Sequence, residues 1–142
     1  MPTTAFDVLG GKDTLGKRAF TTTAALELVR HGLPYRSLES AVEHCGAQQA
    51  EITQVLQIPK RTLLRRKKED RLLPAESDRL FRLARVVAHA IDVLESEEAA
   101  QRWLKKPNRA LGGQVPLHLL DTDAGAGQVD DVLTRIDHGV FS

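Results

Sequence analysis

The chain is poor in the residues that staple, stack or span. A single cysteine, Cys45, in 142 residues leaves no intramolecular disulfide to form and points to a reducing compartment. Four Phe, one Tyr and one Trp are too few for the aromatic platform on which single-stranded nucleic acid stacks. No stretch approaches the ~20 continuous apolar residues of a membrane span, and the amino terminus lacks the basic-then-apolar layout of a secretory signal. The histidines His31, His44, His89, His118 and His138 are scattered without metal-ligand spacing. Gly10-Gly11-Lys12 lacks the strand and helix that must flank a phosphate loop, and Cys45, at a helix end on its apolar side, reads as a small hydrophobe and not a nucleophile. The expectation is a soluble cytoplasmic protein that is not an enzyme and holds no cofactor and no metal.

What is present is helical material. Hydrophobic residues make up 42% of the chain, enough for the core of one domain or of two small modules that share one. Residues 1–20 carry Gly10, Gly11 and Gly16 with scattered apolar residues, and read as a flexible arm. Thr21 to Thr23 then offer an N-cap for a helix ended by His31-Gly32, and Ser37 caps a second with Leu38, Ala41, Val42 and Cys45 at helical spacing. A third helix runs over 48–56, a turn follows at Gln57-Ile58, and Pro59 opens a helix over about 60–70 with Leu63 and Leu64 inward. From Pro74, the residues Leu80, Leu83, Ala84, Val87, Ala88, Ile91 and Leu94 trace one face of a central core helix. A short helix over 97–106 buries Ala100, Trp103 and Leu104; breakers follow, with Gly112-Gly113 read as a backbone turn, and a last helix over 128–138 buries Val129, Val132, Leu133 and Ile136. The fold class is all-α, divided into the arm, a helical dimerisation and helix-turn-helix DNA-binding unit over 21–96, and a small helical module over 97–142.

Charge is distributed unevenly along these helices. Between Lys60 and Arg71 stand seven Lys or Arg and two acids, a local balance of +5 in a chain whose net charge is +1. From Pro107 onward two basic residues face five acids, a balance of −3. A helix that enters the major groove needs an apolar seam to a supporting helix, cations for phosphates, and forked or short donors for base edges. Ile52, Val55, Ile58 and Leu63 supply the seam; Lys60, Arg61, Thr62, Arg65 and Arg66 occupy the reading turns; Lys67 and Lys68, with Arg71, suit the backbone phosphates. Two positions depart from the commonest helix-turn-helix pattern. Thr53 stands where a small residue such as Ala usually packs, and Gln57 where glycine often makes the left-handed turn. One short recognition helix offers little specificity, so a homodimer on palindromic half-sites of double-stranded DNA is expected, with Thr21 to Gly46 and the arm as candidate interface.

The residues Trp103-Leu104, Pro107-Asn108, Ala110-Leu111-Gly112-Gly113, Pro116-Leu117, Leu120, Asp121-Thr122, Gly127, Val129, Leu133, Arg135, Ile136 and Gly139 form an ordered set. This set closely resembles the carboxy-terminal toxin-binding module of the Xre/MbcA/ParS antitoxin family, in which it follows a helix-turn-helix unit. The resemblance covers about residues 36–141. It implies an antitoxin of a type II toxin-antitoxin system that occludes the active site of a RES-domain toxin, an enzyme that depletes NAD, and that represses its own operon. The last helix combines an apolar stripe with a polar rim, as a partner-binding segment should. The expected toxin contacts are Asp130, Asp131, Leu133, Arg135, Ile136, Gly139, Val140, Phe141 and Ser142. Higher hetero-oligomers with the toxin are expected. The alternative is a stand-alone helix-turn-helix regulator, or a partition-type DNA-binding protein, with no toxin partner.

Overall fold

The computed structural model describes residues 2–16 and 21–139, and among them the fold is all-α. Its helices are α1 (Ala5–Val8), α2 (Gly11–Leu15), α3 (Thr22–His31), α4 (Tyr35–Cys45), α5 (Gln49–Leu56), α6 (Lys60–Glu69), α7 (Pro74–Leu94), α8 (Glu97–Leu104) and α9 (Asp123–Asp137). Two 3₁₀ turns, Arg109–Leu111 and Pro116–Asp121, lie between α8 and α9. An isolated antiparallel bridge joins Asn108 to Gln114 across the first of them.

Helix α7 is the axis. Pro74 occupies its first turn, where a missing N–H costs little, and the Glu76 carboxylate accepts the Leu73 N–H at 2.8 Å to satisfy the helix start. Its 21 residues extend about 32 Å. Leu80, Leu83, Ala84, Val86, Val87, Ala88 and Ala90 are all buried, on more than one stripe, because α1, α3, α4 and α5 pack on it along with α8, α9 and the second 3₁₀ turn. One continuous apolar core results, running from Ala5 to Leu133, so α7 serves both the amino-terminal and the carboxy-terminal halves.

The amino-terminal segment is not a free arm over its described part. Thr4 and Asp7 cap α1 reciprocally, with Thr4 N–H donating to Asp7 Oδ2 at 2.9 Å. Ala5, Val8 and Leu9 are buried against α7 and α4, and the Thr3 N–H donates to Asp92 Oδ1 at 2.6 Å. A helix of four residues carries no periodic signal, and Gly10 and Gly11 mark a positive-φ turn between α1 and α2 in place of a disordered linker.

Helix α9 begins five residues before the expected Gln128. Thr122 caps it, accepting the Gly125 N–H at 2.9 Å. Gly125, a breaker by sequence, lies inside the helix because any Cβ there would collide with the Leu119 carbonyl oxygen. The glycine lets α9 seat directly on the second 3₁₀ turn.

Candidate functional site

The α5–turn–α6 unit is built on a dry seam. Ile52 and Leu56 are fully buried, and Val55, Ile58 and Leu63 nearly so. Gln57 adopts φ 58 and ψ 41, the left-handed conformation, and from there the Ile58 N–H returns to the Thr53 carbonyl at 3.0 Å. A non-glycine residue in this region costs roughly 1 kcal/mol. Thr53 fits its buried position because its hydroxyl donates to the Ala50 carbonyl at 3.0 Å within its own helix. The α7 side chains hold the unit in place, with Arg79 Nη1 donating to the Leu56 carbonyl at the α5 terminus at 2.8 Å.

The basic helix divides its cations. Lys60, Arg61, Arg65, Lys67 and Lys68 are exposed and Thr62 is half-buried. Arg66 is not among the free cations. Its guanidinium is buried, with Nε donating to Glu76 Oε1 at 2.7 Å and Nη1 to Glu69 Oε1 at 3.3 Å. The hydrogen bond to Glu76 raises its pKa still further, so the charge is permanent and internally neutralised. Arg66 therefore leaves the expected DNA-contact set. Leu64, expected inward, instead points to solvent and is 62% exposed. On a helix stepping 100° per residue, Leu63 and Arg66 define the inner side and Arg61, Leu64, Arg65 and Lys68 form the outer stripe.

The carboxy-terminal surface also differs from expectation. Leu133 is fully buried and belongs to the core, which removes it from the expected toxin contacts. Asp130 is engaged within the chain, 3.0 Å from His89 Nδ1 and 3.6 Å from Arg85 Nη2, so its carboxylate ties α9 to α7. Ile136 is half-buried against the core. Asp131, Arg135 and Gly139 are exposed, while Val140, Phe141 and Ser142 lie outside the described residues. Asp131 and Arg135, with Gln128 and Val132, form one wall of an open cleft of about 400 Å³ whose other wall is Ala110, Leu111, Gly112 and Gln114. Sequence reasoning missed this cleft. The signal for it was that Ala110, Leu111 and Gly112 on one wall and Arg135 on the other belong to the same ordered motif. As expected, Leu104 is buried and Trp103 packs partly against the core.

The two surfaces share supports. The second 3₁₀ turn packs on α5 through a core that includes Leu117 and Leu120. His118 Nε2 stands 3.0 Å from Glu51 Oε2, and Arg82 Nη2 donates to the Leu120 carbonyl at 3.3 Å. Cys45 is buried, and burial with the nearby Glu51 and Glu97 pushes its thiol up to about 12, which keeps it protonated. Among the described residues no three His, Cys, Asp or Glu side chains come together as a metal group, and no helix is long and apolar enough to cross a membrane.

Two family models match the chain in succession. An antitoxin Xre-like helix-turn-helix domain covers residues 24–85. The antitoxin Xre/MbcA/ParS C-terminal toxin-binding domain covers residues 89–139. The chain is similar to Antitoxin Xre of Yersinia enterocolitica, with 34% identity over 90% of this chain and 88% of the relative. It is similar to Antitoxin Xre of Photorhabdus laumondii, with 31% identity over 81% and 79%, and to the Prs ADP-ribosylating antitoxin of a Sphingobium species, with 26% identity over 81% and 79%. With both domains in order and such identity along most of its length, the chain belongs to the Xre family of type II antitoxins, a helix-turn-helix unit followed by the toxin-binding domain.

Proposed function

We propose that this antitoxin neutralises a RES-domain, NAD-depleting toxin by covering its active-site entrance, and represses its own operon by setting α6 into the major groove of operator DNA. The observation that carries the reading is the separation of two free surfaces on one core. The exposed cations of α6 face away from the seam, while the cleft between Ala110–Gln114 and α9 presents Asp131 and Arg135. Phosphate contacts need the first kind of surface and a protein partner the second. The name of the Sphingobium relative couples an antitoxin to ADP-ribosylation, which supports a toxin directed at NAD.

In this reading Lys60, Arg61, Thr62 and Arg65 meet base edges or adjacent phosphates, Lys67 and Lys68 meet the backbone, and Asp131, Arg135 and Gly139 meet the toxin. The protein works as a homodimer, because two recognition helices on a palindrome supply the specificity that one lacks. Co-expression with the neighbouring gene product tests it, followed by mass measurement of the purified complex with and without the duplex upstream of the gene. The expected result is a stable complex containing an even number of antitoxin chains that also binds the duplex. Purification of the antitoxin alone, with DNA binding intact, favours a stand-alone regulator instead.

A further inference from the structure

We propose that Leu64 is a sequence-reading residue that contacts the C5-methyl group of thymine in the major groove. The inference rests on the reading of α6 as the DNA-facing helix.

Leu64 takes no part in the buried core. Leu63 already fills the seam, at 6% exposed, while Leu64 is 62% exposed and exceeds Leu26 and Leu73 among the exposed large hydrophobic residues. Its neighbours along the outer stripe are Arg61, Arg65 and Lys68. Those three cations decide what can cover it. A second copy of the same face would set them against their own equivalents, and like charges brought together repel. A polyanion is attracted by them and presents its phosphates on either side of a groove. Within the major groove the one apolar group on any base pair is the thymine methyl. Leu64 is the fifth residue of α6, about 6 Å along the axis from the helix start, in the part of a recognition helix that contacts base edges. An apolar tip between forked arginines is thus suited to an A·T pair flanked by guanines or phosphates.

The test uses the duplex upstream of the gene and the full-length protein. Each thymine inside the footprint is replaced in turn by deoxyuridine, which deletes only the methyl. The expected result is a loss of about fourfold in affinity at one thymine per half-site, the worth of one buried methyl. Leu64→Ala should lose about sixteenfold on the unmodified duplex, the square of that factor because both copies of the homodimer lose the contact, become indifferent to deoxyuridine at that position, and keep the salt dependence of binding. A footprint with no sensitive thymine overturns the proposal, as does a Leu64→Ala protein that still distinguishes thymine from deoxyuridine. A fall in the mass of free Leu64→Ala protein overturns it too, assigning the side chain to a contact between copies. Absence of any wild-type footprint removes the DNA-facing role of α6 itself, and Leu64 with it. The deoxyuridine scan on the wild-type protein reads the methyl without any substitution, so a folding defect in the variant cannot imitate the result.

Discussion

Arg66 and Glu76 form an ion pair of 2.7 Å between side chains only 8% and 9% exposed, joining the basic helix α6 to the first turn of α7. The same carboxylate oxygen accepts the Leu73 N–H, so one acid fixes both the α7 start and the angle at which α6 leaves it. Removing either partner strands a buried charge, at a cost of about 3 kcal/mol. Arg66→Ala or Glu76→Ala should therefore lower the melting temperature by about 10 °C, read by circular dichroism. Arg66→Met combined with Glu76→Leu should recover most of the loss, short of the part due to the Leu73 N–H left unpaired, and keep operator affinity, because the Arg66 guanidinium is turned inward onto Glu76 and Glu69. A normal melt with lost DNA binding in Arg66→Ala would return Arg66 to the reading surface.

The exposed cations predict a different signature. Arg61→Ala and Arg65→Ala should each weaken operator binding by about 1–3 kcal/mol, with relaxed preference at one base pair. Lys67→Ala and Lys68→Ala should weaken binding to all sequences and reduce the salt slope by about 1 each. All four side chains are exposed, so melting temperatures should stay within a degree or two of wild type. Titrations of operator and scrambled duplex at several salt concentrations separate the two classes.

At the carboxy terminus, fold and partner contact need to be separated. Deleting α9 would strip Val129, Val132 and Leu133 from the core, and would report on folding rather than on the toxin. Leu133→Ala should destabilise by about 2–5 kcal/mol. Asp131→Lys and Arg135→Glu, which change exposed walls of the cleft, should leave the melt unchanged while co-purification with the neighbouring gene product falls at least tenfold. Intact capture by both variants together would move the contact surface off this cleft.

How far the sequence revealed these features depends on the length scale of each signal. Helix α7 was legible because its apolar stripe repeats over five turns, and the left-handed Gln57 because a turn of that length demands it. Arg66 was not, since nothing in a run of cations marks the one that points inward, and its partner lies ten residues away across a turn. Leu63 and Leu64 look alike in sequence, yet adjacent positions on a helix lie 100° apart and a narrow seam takes one of them. Helix α1 was too short to show a period. Leu133 and Arg135 illustrate the remaining gap: a family resemblance carries buried and exposed positions together, and only the folded structure divides them.

Gln57 holds the turn at an energetic cost that substitution can relieve. Gln57→Gly removes the left-handed penalty but gives the unfolded chain more freedom, for a net gain of about 0.5 kcal/mol. Gln57→Val should destabilise by more than 1 kcal/mol, because a β-branched residue resists positive φ most strongly. Gln57 is itself exposed and lies outside the buried seam, so both effects should appear in denaturant midpoints.

Cys45 makes stability sensitive to alkali in a definable window. Its thiol titrates from 9.0 when unfolded to about 12 in the folded chain. A group with a raised folded pKa lends its full stability below the unfolded value and loses it as pH rises toward the folded one. Between pH 9 and 12 the unfolded chain is favoured by ionising a thiol that the fold keeps neutral, by about 1.4 kcal/mol at pH 10. Tyr35, whose pKa burial also raises, contributes in the same direction. The difference between wild type and Cys45→Ala therefore isolates the thiol: the variant should be less stable near neutrality through its lost volume, and the gap should narrow steadily above pH 9. Iodoacetamide should label Cys45 in the native protein only at the rate of unfolding. Rapid labelling at neutral pH, or a gap independent of pH, would mean that Cys45 is reached by water in the native state.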